Sequence, residues 1–147
     1  MDCNQILPLL YLGSYEFLHK KAFRQINADA IISITPTIET QFVLNKFDNA
    51  HFRVPMTLKM SKNQIKNAIK IIAKIMDNLI NDDKRVYIHC NEGISRSATC
   101  IIYYMYAYKG MTMLDALSFV KSKRKVVCLN ELMLECLNEL DHEMHYS

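Results

Sequence analysis

The segment from residue 86 to residue 97 constrains the fold of this 147-residue chain more than any other. It begins with Val86-Tyr87-Ile88, a run of strand-forming residues too short for a helix, and it passes through Gly93 into a long apolar stretch that starts at Arg96. A helix without a polar face belongs in the interior of a protein. The segment therefore predicts a buried strand, a tight loop that turns at Gly93, and a central helix.

A loop between a strand and a helix N-terminus is suited to binding an anion, because the first helical amides have no partner within the helix and the dipole is positive there. Here the loop begins with Cys90 and ends with Arg96, whose planar guanidinium matches two oxygens of a phosphate. Thiols at such positions beside cations have pKa values of roughly 3.5–7.5, so we predict that Cys90 is largely a thiolate near neutral pH. This arrangement indicates phosphoryl transfer through a cysteinyl-phosphate.

The spacing of this loop resembles the signature of the cysteine-dependent protein tyrosine phosphatase superfamily. The pattern His89-Cys90-x-x-Gly93-x-x-Arg96-Ser97 fixes five positions in nine. The segment Gly93-Ile94-Ser95-Arg96-Ser97-Ala98-Thr99 is most similar to that of the dual-specificity phosphatases. The segment Tyr11-Leu12-Gly13-Ser14 resembles the start of their domains. The resemblance covers nearly the whole chain. The alternative is a structural cysteine beside a buried helix, with an arginine at this spacing by chance.

The resemblance implies a role for each residue of the loop. Cys90 would attack phosphorus, Arg96 would bind two equatorial oxygens, and the hydroxyl of Ser97 would stabilise the thiolate as a leaving group in the second step. For Ser97 the alternative is a helix hydroxyl that bonds to a preceding carbonyl. The other phosphate contacts would come from the backbone amides of Asn91, Glu92, Gly93, Ile94, Ser95 and Arg96. We expect the side chain of Glu92 to point outward, and no metal or other cofactor is required.

Two further residues are predicted to orient the loop. His89 should face away from the bound phosphate, because it precedes Cys90 on the strand, so hydrogen bonding to the loop suits it better than the role of a base. Asn130 resembles the asparagine that begins the last helix of dual-specificity domains. It would tie that helix to the loop, but a plain helix N-cap explains it equally well.

Composition limits the class of protein. The length suits a single domain over residues 1–147, and the formal net charge of +3 suits an anionic substrate. The five cysteines are odd in number and have no zinc-binding spacing. The N-terminus lacks the pattern of a secretion signal, and no run approaches the ~18 apolar residues that span a bilayer. We therefore expect a cytoplasmic protein in a reducing compartment, without a membrane partner.

Strands alternate with helices along the chain, which predicts an α/β fold with a central, mostly parallel sheet flanked by helices. The resemblance implies the same phosphotyrosine phosphatase-like fold. Strands are predicted over residues 6–14, 30–34, 42–44, 51–54 and 86–88, and helices over residues 15–26, 61–80, 96–109, from 112 and from 130. Lys66, Lys70 and Lys74 lie off the apolar stripe of the helix over 61–80, so we expect them on a solvated face rather than in a binding patch.

The run Lys121-Ser122-Lys123-Arg124-Lys125 has two interpretations. The simpler one is the end of a helix followed by a solvated loop. The functional one is a basic rim that attracts phosphate.

One departure from the family pattern concerns the general acid that protonates the leaving oxygen. The resemblance implies an aspartate in the loop before the long amphipathic helix. Here that loop covers residues 54–61 and contains no Asp or Glu, and Leu58 or a near neighbour stands at the expected position. The loss of a general acid typically costs about 10²–10⁴ in rate.

Three functions remain open from the sequence. The first is a slow dual-specificity phosphatase acting on phosphorylated proteins, with water or another side chain in place of the missing acid. It would prefer phosphotyrosine because phenols leave more readily than alkoxides. The second is a hydrolase of a phosphoanhydride such as an RNA 5′ end, for which a basic rim would be useful. The third is a low-activity domain that binds phosphorylated proteins. The presence of both Cys90 and Arg96 favours an enzyme, because binding alone does not require a thiolate.

Overall fold

The structure is a computed structural model that describes residues 2–34, 50–57 and 59–146. In this part of the chain five strands form one sheet: β1 (Cys3–Leu7), β2 (Leu10–Gly13), β3 (Ala30–Ser33), β4 (Ala50–Arg53) and β5 (Val86–His89). Their order across the sheet is β1-β2-β5-β3-β4. All neighbouring strands are parallel except β1, which pairs with β2 in the antiparallel sense. The prediction of a mostly parallel α/β sheet is confirmed.

Helices cover both faces of the sheet unequally. The larger layer consists of α1 (Lys62–Asn81), α2 (Arg96–Lys109), α3 (Met113–Lys123) and α4 (Glu131–Tyr146). Their apolar side chains form one core with the facing side chains of the sheet. The other face carries a smaller cluster around Ile31 and Tyr87, which two short 3-10 helices cover at Glu16–His19 and Lys21–Ile26. No helix within the described ranges is long and apolar enough to cross a membrane.

The central helix α2 is buried on nearly every side, as its apolar sequence predicts. Its residues from Ser97 to Tyr106 are all buried. The helix ends at Gly110, which adopts the left-handed conformation with φ of 71°. The helix therefore forms the middle of the main core, with α1 and α3 packed against it.

Local capping signals in the sequence also hold. Ser61 and Gln64 form the predicted capping box at the start of α1, with hydrogen bonds of 3.2 Å and 2.8 Å. The hydroxyl of Thr112 accepts the amide of Asp115 at the start of α3. The side chain of Asn130 accepts the amide of Met133 at the start of α4.

The N-terminal region differs from the prediction. Residues 6–14 were expected to form one strand, but they contribute to a hairpin of β1 and β2 that turns at Pro8 and Leu9. Proline has no amide to donate, so it interrupts a strand and favours the turn. The helix expected over 15–26 is instead the pair of 3-10 helices separated by Lys20. The strand expected over 42–44 lies outside the described residues.

Lys66 was expected on a solvated face, and this expectation is wrong. It is only 6% exposed, and its Nζ lies 2.7 Å from a carboxylate oxygen of Glu143 and 3.0 Å from one of Glu139. These carboxylates raise the pKa of Lys66. The reason is that α4 packs across α1 at this point. Lys70 and Lys74 on the same helix are exposed, as expected.

Gly13 at the end of β2 allows the close packing of β5 beside it. A Cβ atom at Gly13 would collide with Oη of Tyr87 and would lie 2.6 Å from the carbonyl oxygen of Asp2. Tyr87 is fully buried, and its hydroxyl donates a hydrogen bond of 2.6 Å to the carbonyl of Ser14. The ring cannot move aside without losing that bond.

We therefore expect Gly13→Ala to lower the free energy of unfolding by about 1–3 kcal/mol, the usual cost of overpacking a core. Urea titration followed by circular dichroism would measure it. Gly110→Asn is the matched control, because its site is open and asparagine tolerates the left-handed conformation. A loss at Gly13 no larger than the loss at Gly110 would contradict this account.

Candidate active site

The loop that follows β5 places Cys90 at the carboxyl end of the central strand. β5 lies between β2 and β3, so the loop is surrounded by neighbouring segments before the chain enters α2 at Arg96. Cys90 is 5% exposed and lies at the floor of the loop. This low exposure suits a nucleophile that is reached only by a substrate bound in the loop.

The sulfur of Cys90 is surrounded by hydrogen-bond donors. Burial opposes ionisation of this thiol. The hydroxyl of Ser97, 3.1 Å from Sγ, and the backbone amides of Ser97, Gly93 and Ile94 favour the thiolate, and together they hold the pKa of Cys90 below its ordinary value. The pKa of the Cys100 thiol, which is buried in α2, shifts in the opposite direction. Burial and the neighbouring Cys90 raise it.

The carbonyl oxygens of the loop all point outward to donors from other segments. Each carbonyl from residue 90 to residue 95 accepts at least one hydrogen bond of 2.7–3.0 Å. The donors, in chain order of the acceptors, are His89 Nδ1, the Tyr15 amide, Arg124 Nη2, Arg124 Nε, the Cys128 amide, and the amide and hydroxyl of Thr99. Because these bonds fix the loop backbone from outside, the amides of Gly93 and Ile94 point inward and donate to the sulfur of Cys90. The loop thus has the form of a nest, an arrangement that suits an anion.

Gly93 is the turning point of this loop. It has a φ of +70°, in the left-handed region that favours glycine. A Cβ atom there would collide with the carbonyl oxygen of Gly13 at the end of β2. Two glycines from distant parts of the chain thus meet, and the contact draws the loop against the sheet.

His89 continues a directed chain of hydrogen bonds behind the loop. Its Nδ1 lies 2.9 Å from the carbonyl of Cys90, which can only accept, so Nδ1 carries the proton. Burial, followed by the neighbouring histidines, lowers the pKa of His89 to about 4, so the ring is neutral and Nε2 accepts from the hydroxyl of Ser33 at 2.5 Å. Oγ of Ser33 in turn accepts from Nε2 of His51 at 2.8 Å. His89 therefore faces the loop backbone rather than the anion site.

Arg96 is the first residue of α2 and is half-buried. Within the part of the chain that the structure describes, its guanidinium has no hydrogen-bond or ion-pair partner, which leaves its donors available to a ligand. Asn91 and Glu92 are exposed, while Ile94 and Ser95 are half-buried. The exposed Glu92 carboxylate stays out of the nest.

Asn130 reaches the loop through its backbone and not its side chain. Its amide donates a hydrogen bond of 3.1 Å to the hydroxyl of Ser95, while its side chain caps α4. Asn130 is thus both the N-cap of α4 and a link between α4 and the loop, as the two interpretations of the sequence describe.

The general acid expected from the resemblance has no acidic counterpart in residues 54–61. Leu58, at the position where that acid was expected, lies outside the described residues. Among the described residues there is no group of three or more His, Cys, Asp or Glu side chains placed to hold a metal ion.

The contact of Arg124 with the loop was not predicted from the sequence. Neither interpretation of the basic run fits Arg124, because it is 3% exposed and its guanidinium donates to two carbonyls of the loop. Lys121, Lys123 and Lys125 are exposed, as the simpler interpretation requires. The Nζ of Lys121 also donates a hydrogen bond of 2.6 Å to the carbonyl of Val127. The sequence carries one signal for this contact of Arg124, a single arginine among three lysines. An arginine can donate hydrogen bonds to two acceptors at once.

The family model of the dual specificity phosphatase catalytic domain matches residues 10–143. The nest, the cysteine at its floor and the surrounding fold lie inside this match. The chain therefore belongs to the dual-specificity phosphatase family, and its fold is that of the cysteine-dependent phosphatases.

Three similar proteins place the chain within this family. Serine/threonine/tyrosine-interacting protein A of Xenopus laevis is 30% identical over 135 residues, covering 88% of this chain and 59% of that protein. Dual specificity protein phosphatase 1-A of Xenopus laevis is 29% identical over 130 residues, covering 86% of this chain and 33% of that protein. The crystal structure of the human tyrosine phosphatase-like serine/threonine/tyrosine-interacting protein matches with a TM-score of 0.80 and 25% identity, covering 97% of each chain.

We expect Ser97→Ala to raise the pKa of the Cys90 thiol. A hydrogen bond to a charged group contributes about 1.5–3 kcal/mol, which corresponds to roughly 1–2 pH units. The measurement is the pH dependence of alkylation by iodoacetamide, followed by mass spectrometry of the Cys90 peptide so that the exposed Cys128 does not interfere.

Ser95→Ala is the matched control, since the hydroxyl of Ser95 accepts the Asn130 amide and belongs to the same loop. The alkylation profile of this variant should stay close to that of the unmodified protein. Equal thiol pKa values in both variants would show that the Ser97 hydroxyl does not stabilise the thiolate.

Proposed function

We propose that this domain is a protein phosphatase that hydrolyses phosphotyrosine, and phosphoserine or phosphothreonine more slowly, through a cysteinyl-phosphate. The observation that carries the proposal is the sulfur of Cys90 among the Ser97 hydroxyl and the backbone amides of Gly93, Ile94 and Ser97, with the pKa of the thiol lowered. A thiolate in an anion-binding nest is arranged for attack on a phosphate monoester. Phosphorylated proteins are the corresponding substrates.

In the first step the thiolate of Cys90 attacks phosphorus in line with the leaving oxygen. The S–P bond forms, the P–O bond breaks, and the electron pair stays on the phenolic oxygen. The guanidinium of Arg96 and the loop amides stabilise charge on the equatorial oxygens. Because residues 54–61 contain no carboxyl group, the leaving oxygen takes its proton from water.

In the second step a water molecule attacks the phosphorus of the cysteinyl-phosphate. The new P–O bond forms, the P–S bond breaks, and the electron pair returns to the sulfur, while the proton of the water passes to solvent. The Ser97 hydroxyl and the loop amides stabilise the thiolate as it leaves. Inorganic phosphate and the free enzyme result.

A second candidate is a domain that grips phosphorylated proteins with little turnover. The observation that favours it is the 30% identity to a protein named serine/threonine/tyrosine-interacting protein. The same nest would bind the phosphate in either case. The two functions therefore differ in turnover, not in the site.

We expect the domain to hydrolyse an aryl phosphate and a phosphotyrosine peptide. A matched phosphoserine peptide should react at least about 10²-fold more slowly, because an alkoxide needs the proton that a general acid would supply. Phosphate release is measured for each substrate and for an RNA with a 5′-triphosphate, and Cys90→Ser serves as the inactive control.

Phosphopeptide binding without any turnover would assign the binding function instead. Faster hydrolysis of the RNA than of the aryl phosphate would assign a phosphoanhydride substrate.

We further expect Leu58→Asp to supply the missing acid. It should raise the rate for the phosphoserine peptide by about tenfold or more, within the range that general acids contribute, and should affect activated aryl phosphates much less. Leu58→Asn is the control of equal size without an acidic proton. If Thr57→Asp, Leu58→Asp and Lys59→Asp all leave the rates unchanged, the missing acid does not limit the reaction.

A further inference from the structure

We propose that Arg124 and Asn4 are positioning residues that hold the phosphate loop in its anion-binding conformation. Arg124 donates hydrogen bonds to carbonyl oxygens of the loop, and Asn4 orients the Arg124 guanidinium. The inference rests on the proposed function of Cys90 as the nucleophile. It concerns the geometry of the nest and not a contact with substrate.

With partners among the described residues, the guanidinium of Arg124 makes three directed hydrogen bonds. Its Nη2 donates to the carbonyl of Glu92 at 2.9 Å and its Nε donates to the carbonyl of Gly93 at 3.0 Å. Its Nη1 donates to Oδ1 of Asn4 at 2.8 Å. These are bonds of a planar fork with a fixed geometry, so the two carbonyls are held in a fixed relative direction.

The two gripped carbonyls belong to the peptide groups that carry two of the thiolate-stabilising amides. The carbonyl of Glu92 shares a peptide plane with the amide of Gly93, and the carbonyl of Gly93 shares one with the amide of Ile94. In a trans peptide the carbonyl and the amide point in opposite directions. Arg124 therefore aims the amides of Gly93 and Ile94 at Sγ of Cys90, where both lower the thiol pKa.

This support matters most at Gly93. Glycine reaches backbone conformations that other residues rarely adopt, so the peptide groups on either side of it rotate at low cost. A rotated peptide would aim a carbonyl oxygen at the sulfur in place of an amide. The fork of Arg124 resists this rotation for both peptide groups at once.

Asn4 fixes the plane of the fork from the edge of the sheet. It lies on β1, 120 residues away from Arg124 in the chain. Its side-chain oxygen is the acceptor that directs one end of the guanidinium. With Nη1 held there, Nη2 and Nε face the loop.

The test uses Arg124→Lys in the whole chain, because lysine keeps the charge but cannot grip two carbonyls in one plane. We expect the thiol pKa of Cys90 to rise by roughly one unit or more. We also expect the concentration of inorganic phosphate that protects Cys90 from iodoacetamide to rise about tenfold or more. Lys123→Gln is the matched control in the same segment and should leave both values unchanged.

Asn4 provides a second, milder pair of variants. Asn4→Ala should shift both values in the same direction by a smaller amount, while Asn4→Asp keeps an acceptor for Nη1 and should restore them. A purely structural role would lower the thermal unfolding midpoint but would not move the thiol pKa of the folded variants.

The proposal is overturned if folded Arg124→Lys keeps the thiol pKa and phosphate protection of the unmodified protein. If Arg124→Lys does not fold, Asn4→Ala decides: a shift that Asn4→Asp reverses supports the proposal, and no shift overturns it. Neither readout needs turnover. A protein that binds phosphate with these properties but hydrolyses no substrate would therefore refute the proposed function and leave this inference standing.

Discussion

The planarity of the peptide group is the constraint on which the site depends. Six successive carbonyls of the loop are bonded to donors outside it. Since a trans peptide points its amide away from its carbonyl, the same bonds turn the loop amides inward, and those of Gly93 and Ile94 donate to the sulfur of Cys90. Burial alone would raise the pKa of Cys90, but the hydrogen bonds from the Ser97 hydroxyl and from the amides of Ser97, Gly93 and Ile94 outweigh it and lower that pKa.

The donors that fix the loop come from the whole fold. Tyr15 follows β2, Arg124 and Cys128 follow α3, and Thr99 lies in α2. The sheet order places β2 next to β5, which brings Gly13 against Gly93. The site is therefore a property of the assembled sheet and helices, although its reactive residues lie within a few positions of each other.

The sequence predicts those features that neighbouring residues determine. The strand, loop and helix around Cys90, the capping box at Ser61 and the left-handed Gly110 depend on local backbone preferences, and the structure has them. The hairpin at Pro8 was missed although it is local, because the apolar run on both sides of the proline reads as one strand.

Features set by distant contacts were missed for a different reason. Arg124 contacts loop carbonyls 31 and 32 positions away and Asn4 at 120 positions, and nothing in a run of basic residues indicates which one is buried. Lys66 is likewise covered by α4, which the periodicity of α1 cannot reveal. Both side chains are long cations whose burial depends on acceptors that the fold supplies.

On the proposed mechanism, phosphate binding and leaving-group protonation are carried by separate segments. The nest depends on backbone amides fixed by many contacts, so it tolerates changes in most loop side chains. Protonation of the leaving oxygen depends on one side chain in a different loop, and residues 54–61 contain no carboxyl group. Leaving-group protonation can thus be lost while phosphate binding persists. A nest that holds the phosphate ester as strongly as the transition state binds without accelerating the reaction. On this mechanism, turnover by the domain depends on the supply of one proton to the leaving oxygen, and good leaving groups such as phenols require that proton least.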